Sequence, residues 1–146
     1  MNSALSKEMF DDQTKHFSER LLELREWTVN KMSYPILDVT FSRPGRKQFR
    51  VRMICDNYDE FPSSIELLGG DGAYLVHAPT GSNVINIGKH QNTQRPFICS
   101  PGSLEYHTHP SHLTDLWENY KGTSRYDLGG MLTQIHNAWL KTQDVA

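Results

Sequence analysis

Leu37-Asp38-Val39-Thr40-Phe41-Ser42-Arg43-Pro44-Gly45-Arg46-Lys47-Gln48-Phe49-Arg50-Val51-Arg52-Met53-Ile54-Cys55 is the stretch that decides the fold class of this chain. Leu37, Val39 and Phe41 recur with a period of two, as do Phe49, Val51, Met53 and Cys55, so each segment reads as a strand with one buried face. Arg43-Pro44-Gly45-Arg46 supplies the turn between them, and the whole reads as a β-hairpin. Cys55 lies in phase with the inward residues and is expected to be a buried, inert thiol. Arg43, Arg46, Lys47, Arg50 and Arg52 form a basic ridge around the hairpin, expected to be a solvated strand face rather than a docking surface.

Further strands are expected at Ile65 to Leu68, Tyr74 to His77 and Val84 to Ile87. Gly69-Gly70-Asp71-Gly72 lacks the Lys-Ser/Thr of a phosphate loop and reads as a turn. Before the hairpin, the first 28 residues read as one amphipathic helix, with Phe10, Phe17, Leu21 and Leu24 at near-helical spacing and Ser6 as its cap. At the other end, Asp127 caps a helix in which Leu128, Leu132, Ile135 and Trp139 share a face, running to about Lys141. His112 to Tyr126 has no clean period and reads as a loop pinned by Trp117 and Tyr120. Trp27, Trp117 and Trp139 are expected in the core. The order of elements is that of an α+β domain.

With 146 residues the chain is expected to form one domain, residues 1–146. A net charge of −2 gives no global signal for nucleic acid or a membrane surface. Two cysteines in unlike settings do not read as a disulfide framework, and neither a spanning helix nor a signal peptide is legible. A soluble cytoplasmic protein is expected.

The chemistry concentrates in Cys99-Ser100-Pro101-Gly102-Ser103-Leu104-Glu105-Tyr106-His107-Thr108-His109-Pro110. If residues 104 to 109 are extended, Glu105, His107 and His109 share one face. The Pro101-Gly102 turn would then swing Cys99 toward them. Thiolate, carboxylate and imidazole are zinc ligands, so Cys99, Glu105, His107 and His109 are a candidate tetrahedral site. The alternative is nucleophilic: a partly exposed thiol beside an imidazole can be held as the thiolate that attacks thioesters. His112 is a spare ligand or a partner in the outer layer of either site, while His16, His77 and His136 read as ordinary polar or boundary positions.

The order of elements resembles the ubiquitin-conjugating (UBC) fold, in which an N-terminal helix and a four-stranded meander precede the catalytic cysteine. Tyr58-Asp59-Glu60-Phe61-Pro62 resembles a degenerate form of that family's Tyr-Pro-Phe-x-Pro-Pro loop. His90-Gln91-Asn92 is a loose version of its His-Pro-Asn, and Ile98-Cys99 resembles its active-site Ile-Cys. Trp117 and the helix over 128–141 resemble the Trp and helix beyond that cysteine. The family has no Glu-x-His-x-His after its cysteine, however, and 69–89 is longer than its usual connection.

A closer local resemblance is to the predicted metal-binding (Cys-Glu-His-His) domain family encoded in bacterial ubiquitin-like operons. It rests on Cys99, on Glu105 to Pro110, and on Asp115 and Trp117. The resemblances imply a ubiquitin-conjugating-like role in a bacterial pathway, with antiphage defence as one setting. Cys99 would carry a ubiquitin-like protein received from its activating enzyme. His107 or His109 would act as base, and Asn92 as a donor to the oxyanion. Zinc binding by the quartet in the same pathway is the alternative, and a non-catalytic partner-binding scaffold is the third. His107-Thr108-His109-Pro110 also resembles JAMM-type metalloproteases, and Ser124-x-x-Asp127 their later motif, but Asp127 serves better as a helix cap and Glu66 has little around it to support an acid role.

Overall fold

The computed structural model of the chain describes residues 2–144. Its architecture is α+β, built on an antiparallel four-stranded sheet in the order β1-β2-β3-β4, formed by Trp27–Ser33, Ile36–Phe41, Phe49–Ile54 and Ser64–Gly69. The expected hairpin is β2 and β3, in the register Leu37↔Met53, Val39↔Val51 and Phe41↔Phe49. All six of these side chains are buried, because the period of two places them together on the core face.

The single N-terminal helix expected from the sequence is two. Asn2, not Ser6, caps α1 (Ser3–Thr14) by accepting from the Ala4 N–H, and Ser6 is buried within it. Ser18 then caps α2 (Glu19–Arg25), which ends where Glu26 takes a left-handed conformation, φ 56°. That reversal frees Trp27 to start β1. Only Trp27 of this edge strand is fully buried, so β1 carries no hydrophobic alternation by which it could be read from sequence.

The expected strand at Tyr74 to His77 is reduced to one bridge, Tyr74 to Leu68, since Val76 and His77 are exposed. Val84 to Ile87 contributes β5 (Ile85–Asn86), which pairs with β6 (Phe97–Ile98). The glycine-rich stretch is a turn, with the Gly69 N–H donating to the Ala73 carbonyl at 3.0 Å. A short helix, α3 (Leu104–Thr108), comes after β6, and α4 (Leu128–Leu140) closes the core with Leu128, Leu132, Ile135 and Trp139. Asp127 caps α4 as expected, accepting from the Gly130 N–H at 2.7 Å. Trp117 is buried, with its indole N–H on the Asp59 carbonyl at 2.7 Å. Among the described residues no helix is long and apolar enough to cross a membrane.

The basic ridge is largely neutralised. Arg50 makes a two-point contact with Asp38 (2.8 and 2.6 Å), Arg52 meets Glu66, Arg46 meets Asp144, and Arg43 meets Glu26. Burial pushes the Asp38 carboxyl up, but hydrogen bonds from Arg50 and Asn30 outweigh it and hold the group below its usual range.

His136 corrects another expectation. It is buried, with its ring centroid 4.9 Å from that of Phe41 and 5.3 Å from that of Trp27. Burial, aided by Arg43 and Arg25, lowers its pKa to about 4. The folded state therefore disfavours the imidazolium relative to the unfolded chain, whose histidine titrates near 6.5. Stability attributable to His136 is complete above that value and is lost as pH falls toward about 4. The melting temperature of wild type is expected to drop across this window by more than that of His136→Phe, by the equivalent of up to about 3 kcal/mol. Parallel melting curves for the two proteins against pH would contradict this.

Candidate functional site

Cys99 stands at the end of β6, half-buried, with its N–H donating to the Val84 carbonyl at 2.8 Å. The Pro101-Gly102 turn expected from the sequence is present. The Ser103 N–H returns to the Ser100 carbonyl at 3.2 Å, and Gly102 has φ 99°. The positive φ favours glycine there, and a Cβ at Gly102 would also lie 2.5 Å from the Met131 sulfur, so the Met131 side chain would have to shift.

Beyond the turn the chain forms a helix and not a strand. The Ser103 hydroxyl accepts from the Tyr106 N–H at 3.1 Å and caps α3, while donating to the Ile98 carbonyl at 2.7 Å. At about 100° per residue, Glu105 and His109 fall on one side of the helix and His107 on another, so the shared face expected of an extended segment does not form.

Each of the three residues has a separate task. Glu105 is buried, and its carboxylate accepts from the Ser64 hydroxyl and the Ile65 N–H, both at 2.7 Å, pinning α3 to β4. Burial raises its pKa against the opposing pull of those hydrogen bonds. His107 has both ring nitrogens engaged: Nε2 accepts from the Gly102 N–H at 3.1 Å, so Nδ1–H donates to the Asp115 carbonyl at 2.8 Å. His109 stacks on Phe97 (5.8 Å between centroids, 15°), and its Nδ1 accepts from the Ser111 N–H. That contact caps a one-turn 3-10 helix, Pro110–His112.

The tight turn carries His112 back to the thiol. Nε2 of His112 lies 3.8 Å from Cys99 Sγ. The imidazole stacks on the Tyr106 ring, with centroids 4.1 Å apart and planes 14° from parallel. Tyr106 is anchored in turn, since its hydroxyl donates to Asp115, which also accepts from the Tyr120 hydroxyl at 2.8 Å. Those hydrogen bonds, from Tyr106 first and then Tyr120, hold the Asp115 carboxyl below its usual range. Burial and the bond to Asp115 push the Tyr106 phenol up, so it stays protonated and keeps donating.

The thiol is therefore paired with His112, which the sequence offered as a spare ligand or an outer-layer partner, and not with His107 or His109. Pro110 was the available signal, because the fixed φ of proline suits the first position of a new helical turn. Tyr106 and Asp115, the props behind His112, were not assigned these roles from sequence. Asn92 lies on the turn after His90. His90 is buried; its Nδ1 accepts from the Asn92 N–H at 3.1 Å, so its Nε2–H donates to the Glu105 carbonyl at 2.9 Å. The Asn92 side chain is exposed.

Cys99, Glu105, His107 and His109 do not come together as one ligand set. Glu105 is spent on β4 and His107 on the Gly102 and Asp115 backbone, and among the described residues no three His, Cys, Asp or Glu side chains are grouped to hold a metal ion. The quartet as arranged does not fit a closed zinc site. Cys55, by contrast, is the expected inert thiol: it is fully buried, and burial pushes it up to about 12.

Fold and site together define an α+β protein with a half-exposed cysteine at a strand end and an imidazole beside it. No family model matches the chain, and no curated protein matches it.

Proposed function

We propose that this protein is a UBC-like acyl carrier of a bacterial ubiquitin-like modification pathway, in which Cys99 receives the C-terminal acyl group of a ubiquitin-like protein from its activating enzyme. The observation that carries this reading is the approach of His112 Nε2 to Cys99 Sγ, 3.8 Å, at a half-exposed position. Support comes also from the order of elements, with N-terminal helices, an antiparallel meander, a cysteine after a two-strand ladder and a closing helix. Both cysteines are free thiols, as the cytosol favours.

In the transfer step the Sγ–H proton passes to His112 Nε2 as sulfur attacks the acyl carbon. The new C–S bond replaces the C–S bond to the activating enzyme, and the departing thiolate takes up the proton. A second attack, by an amine, would release the acyl group as an amide and restore the thiol. Asn92, exposed on its turn, is the side chain offered as donor to the oxyanion at each stage. The zinc alternative would need Glu105 and His107 to abandon the partners they hold, so it is the weaker reading.

His112→Ala should slow acyl transfer to Cys99 by about 10²-fold, the scale of a lost acid-base group. Tyr106→Phe keeps the stacked ring but loses the Asp115 anchor, and a smaller loss of about tenfold is expected. Both are measured as the rate of thioester formation by intact-mass spectrometry. An unchanged rate in His112→Ala would remove the imidazole from the reaction.

A further inference from the structure

A groove of about 480 Å³ runs along the outer side of α4. Its floor is Gly130, Thr133, Gln134, Asn137, Ala138 and Lys141, spaced by three and four residues as one helical stripe. Ser82 and Val84 complete the lining, and Arg125 joins from the turn before α4. That turn packs tightly: a Cβ at Gly130 would lie 2.4 Å from the Arg125 carbonyl oxygen, so the glycine lets Arg125 sit against the helix. Val84 links the groove to the Cys99 backbone, because its carbonyl accepts from the Cys99 N–H.

The lining is one-sided in charge. Arg125 and Lys141 are exposed cations, no lining residue is acidic, and no carboxylate occurs in the sequence between Asp127 and Asp144. Among the described residues neither cation has an ion-pair partner, and the Asn137 amide in the middle of the stripe has no hydrogen-bond partner. The groove on the outer face of the sheet differs, since Asp38 and Glu66 there already neutralise Arg50 and Arg52. Thirteen helical residues rise about 20 Å, the reach of about six residues of extended chain.

We propose that this groove seats an extended acidic peptide, the C-terminal tail of the acyl donor, with its carboxylates toward Arg125 and Lys141 and its last carbonyl delivered past Val84 to Cys99. The assignment rests on Cys99 being the acyl acceptor. Charge complementarity selects the tail, and the free Asn137 amide offers a partner for its backbone.

The test uses two synthetic hexapeptides carrying a C-terminal 2-mercaptoethanesulfonate thioester. One has glutamate at its first and fifth positions and the other glutamine, with alanine elsewhere. Cys99 sulfur displaces the mercaptan, which leaves with the proton, and intact-mass spectrometry reads the rate of acyl transfer. The glutamate peptide is expected to transfer at least tenfold faster at low salt. The double variant Arg125→Glu, Lys141→Glu should abolish that preference, and a melting temperature unchanged from wild type reports that the variant is folded. Equal rates for the two peptides on the wild-type protein, or a preference that survives charge reversal, would overturn the groove assignment and leave Cys99 as acceptor. Failure of both peptides to acylate Cys99 would instead overturn the acceptor reading and the groove with it.

Discussion

Cys99→Ala is expected to abolish acyl capture while leaving the melting temperature within about 2 °C of wild type, equivalent to under about 0.5 kcal/mol. The two halves of this expectation come from the same geometry. Cys99 is half-exposed, and the hydrogen bond that ties it to the fold runs from its backbone N–H to Val84, which alanine keeps. Alanine removes a single sulfur atom of a partly buried residue and its 3.8 Å contact with His112, a small loss for the fold. The chemistry, in contrast, loses its accessible thiol, because Cys55 is fully buried and its own thiol is pushed up to about 12. A residual thioester in Cys99→Ala would show that another group accepts the acyl chain. A collapse in stability would show that Cys99 is structural.

Glu105→Ala is expected to give the largest stability loss among the polar residues near the site, about 3 kcal/mol. The carboxylate accepts from Ser64 and from the buried Ile65 N–H, and it joins α3 to β4 across the position where the turn from Cys99 ends. Alanine leaves the buried Ile65 N–H without a partner and takes the acceptor from the half-buried Ser64 hydroxyl, and an orphaned buried donor costs more than a made bond contributes. Glu105→Gln retains a carbonyl oxygen for Ile65 and an amide for the Ser64 hydroxyl, and should recover most of the loss. Denaturant unfolding of the three proteins with and without EDTA is the measurement. The same deficit in both conditions is the result expected of the hydrogen-bonded role. A deficit in Glu105→Ala that EDTA reproduces in wild type would mark Glu105 as a metal ligand.

The parts of the fold that were legible carry strong local periodicity. Leu37 to Cys55 alternates in both arms and has Pro44-Gly45 between them, and α4 joins a clear cap at Asp127 to an apolar stripe ending at Trp139. β1 was hidden because an edge strand with only Trp27 fully buried has no alternation to read, and its start depends on the left-handed Glu26 that stops α2. At the site, polar residues at 105, 107 and 109 fit a strand face by spacing, yet three residues cannot separate a period of two from one helical turn. Ser103 as cap and Pro110 beyond the end favoured the helix. Once the helix forms, the pairing is set by tertiary contacts that sequence spacing does not encode: Glu105 is drawn to β4, His107 to the Gly102 and Asp115 backbone, and His112 is carried back over Tyr106 to the thiol.

Intact-mass spectrometry of the protein incubated with a bacterial ubiquitin-like protein, its activating enzyme and ATP tests the central claim most directly. The expected result is a single adduct of the partner's mass less one water, released by dithiothreitol and absent from Cys99→Ala. No adduct on wild type in a reaction where the activating enzyme is itself charged, or an adduct that survives in Cys99→Ala, would contradict it.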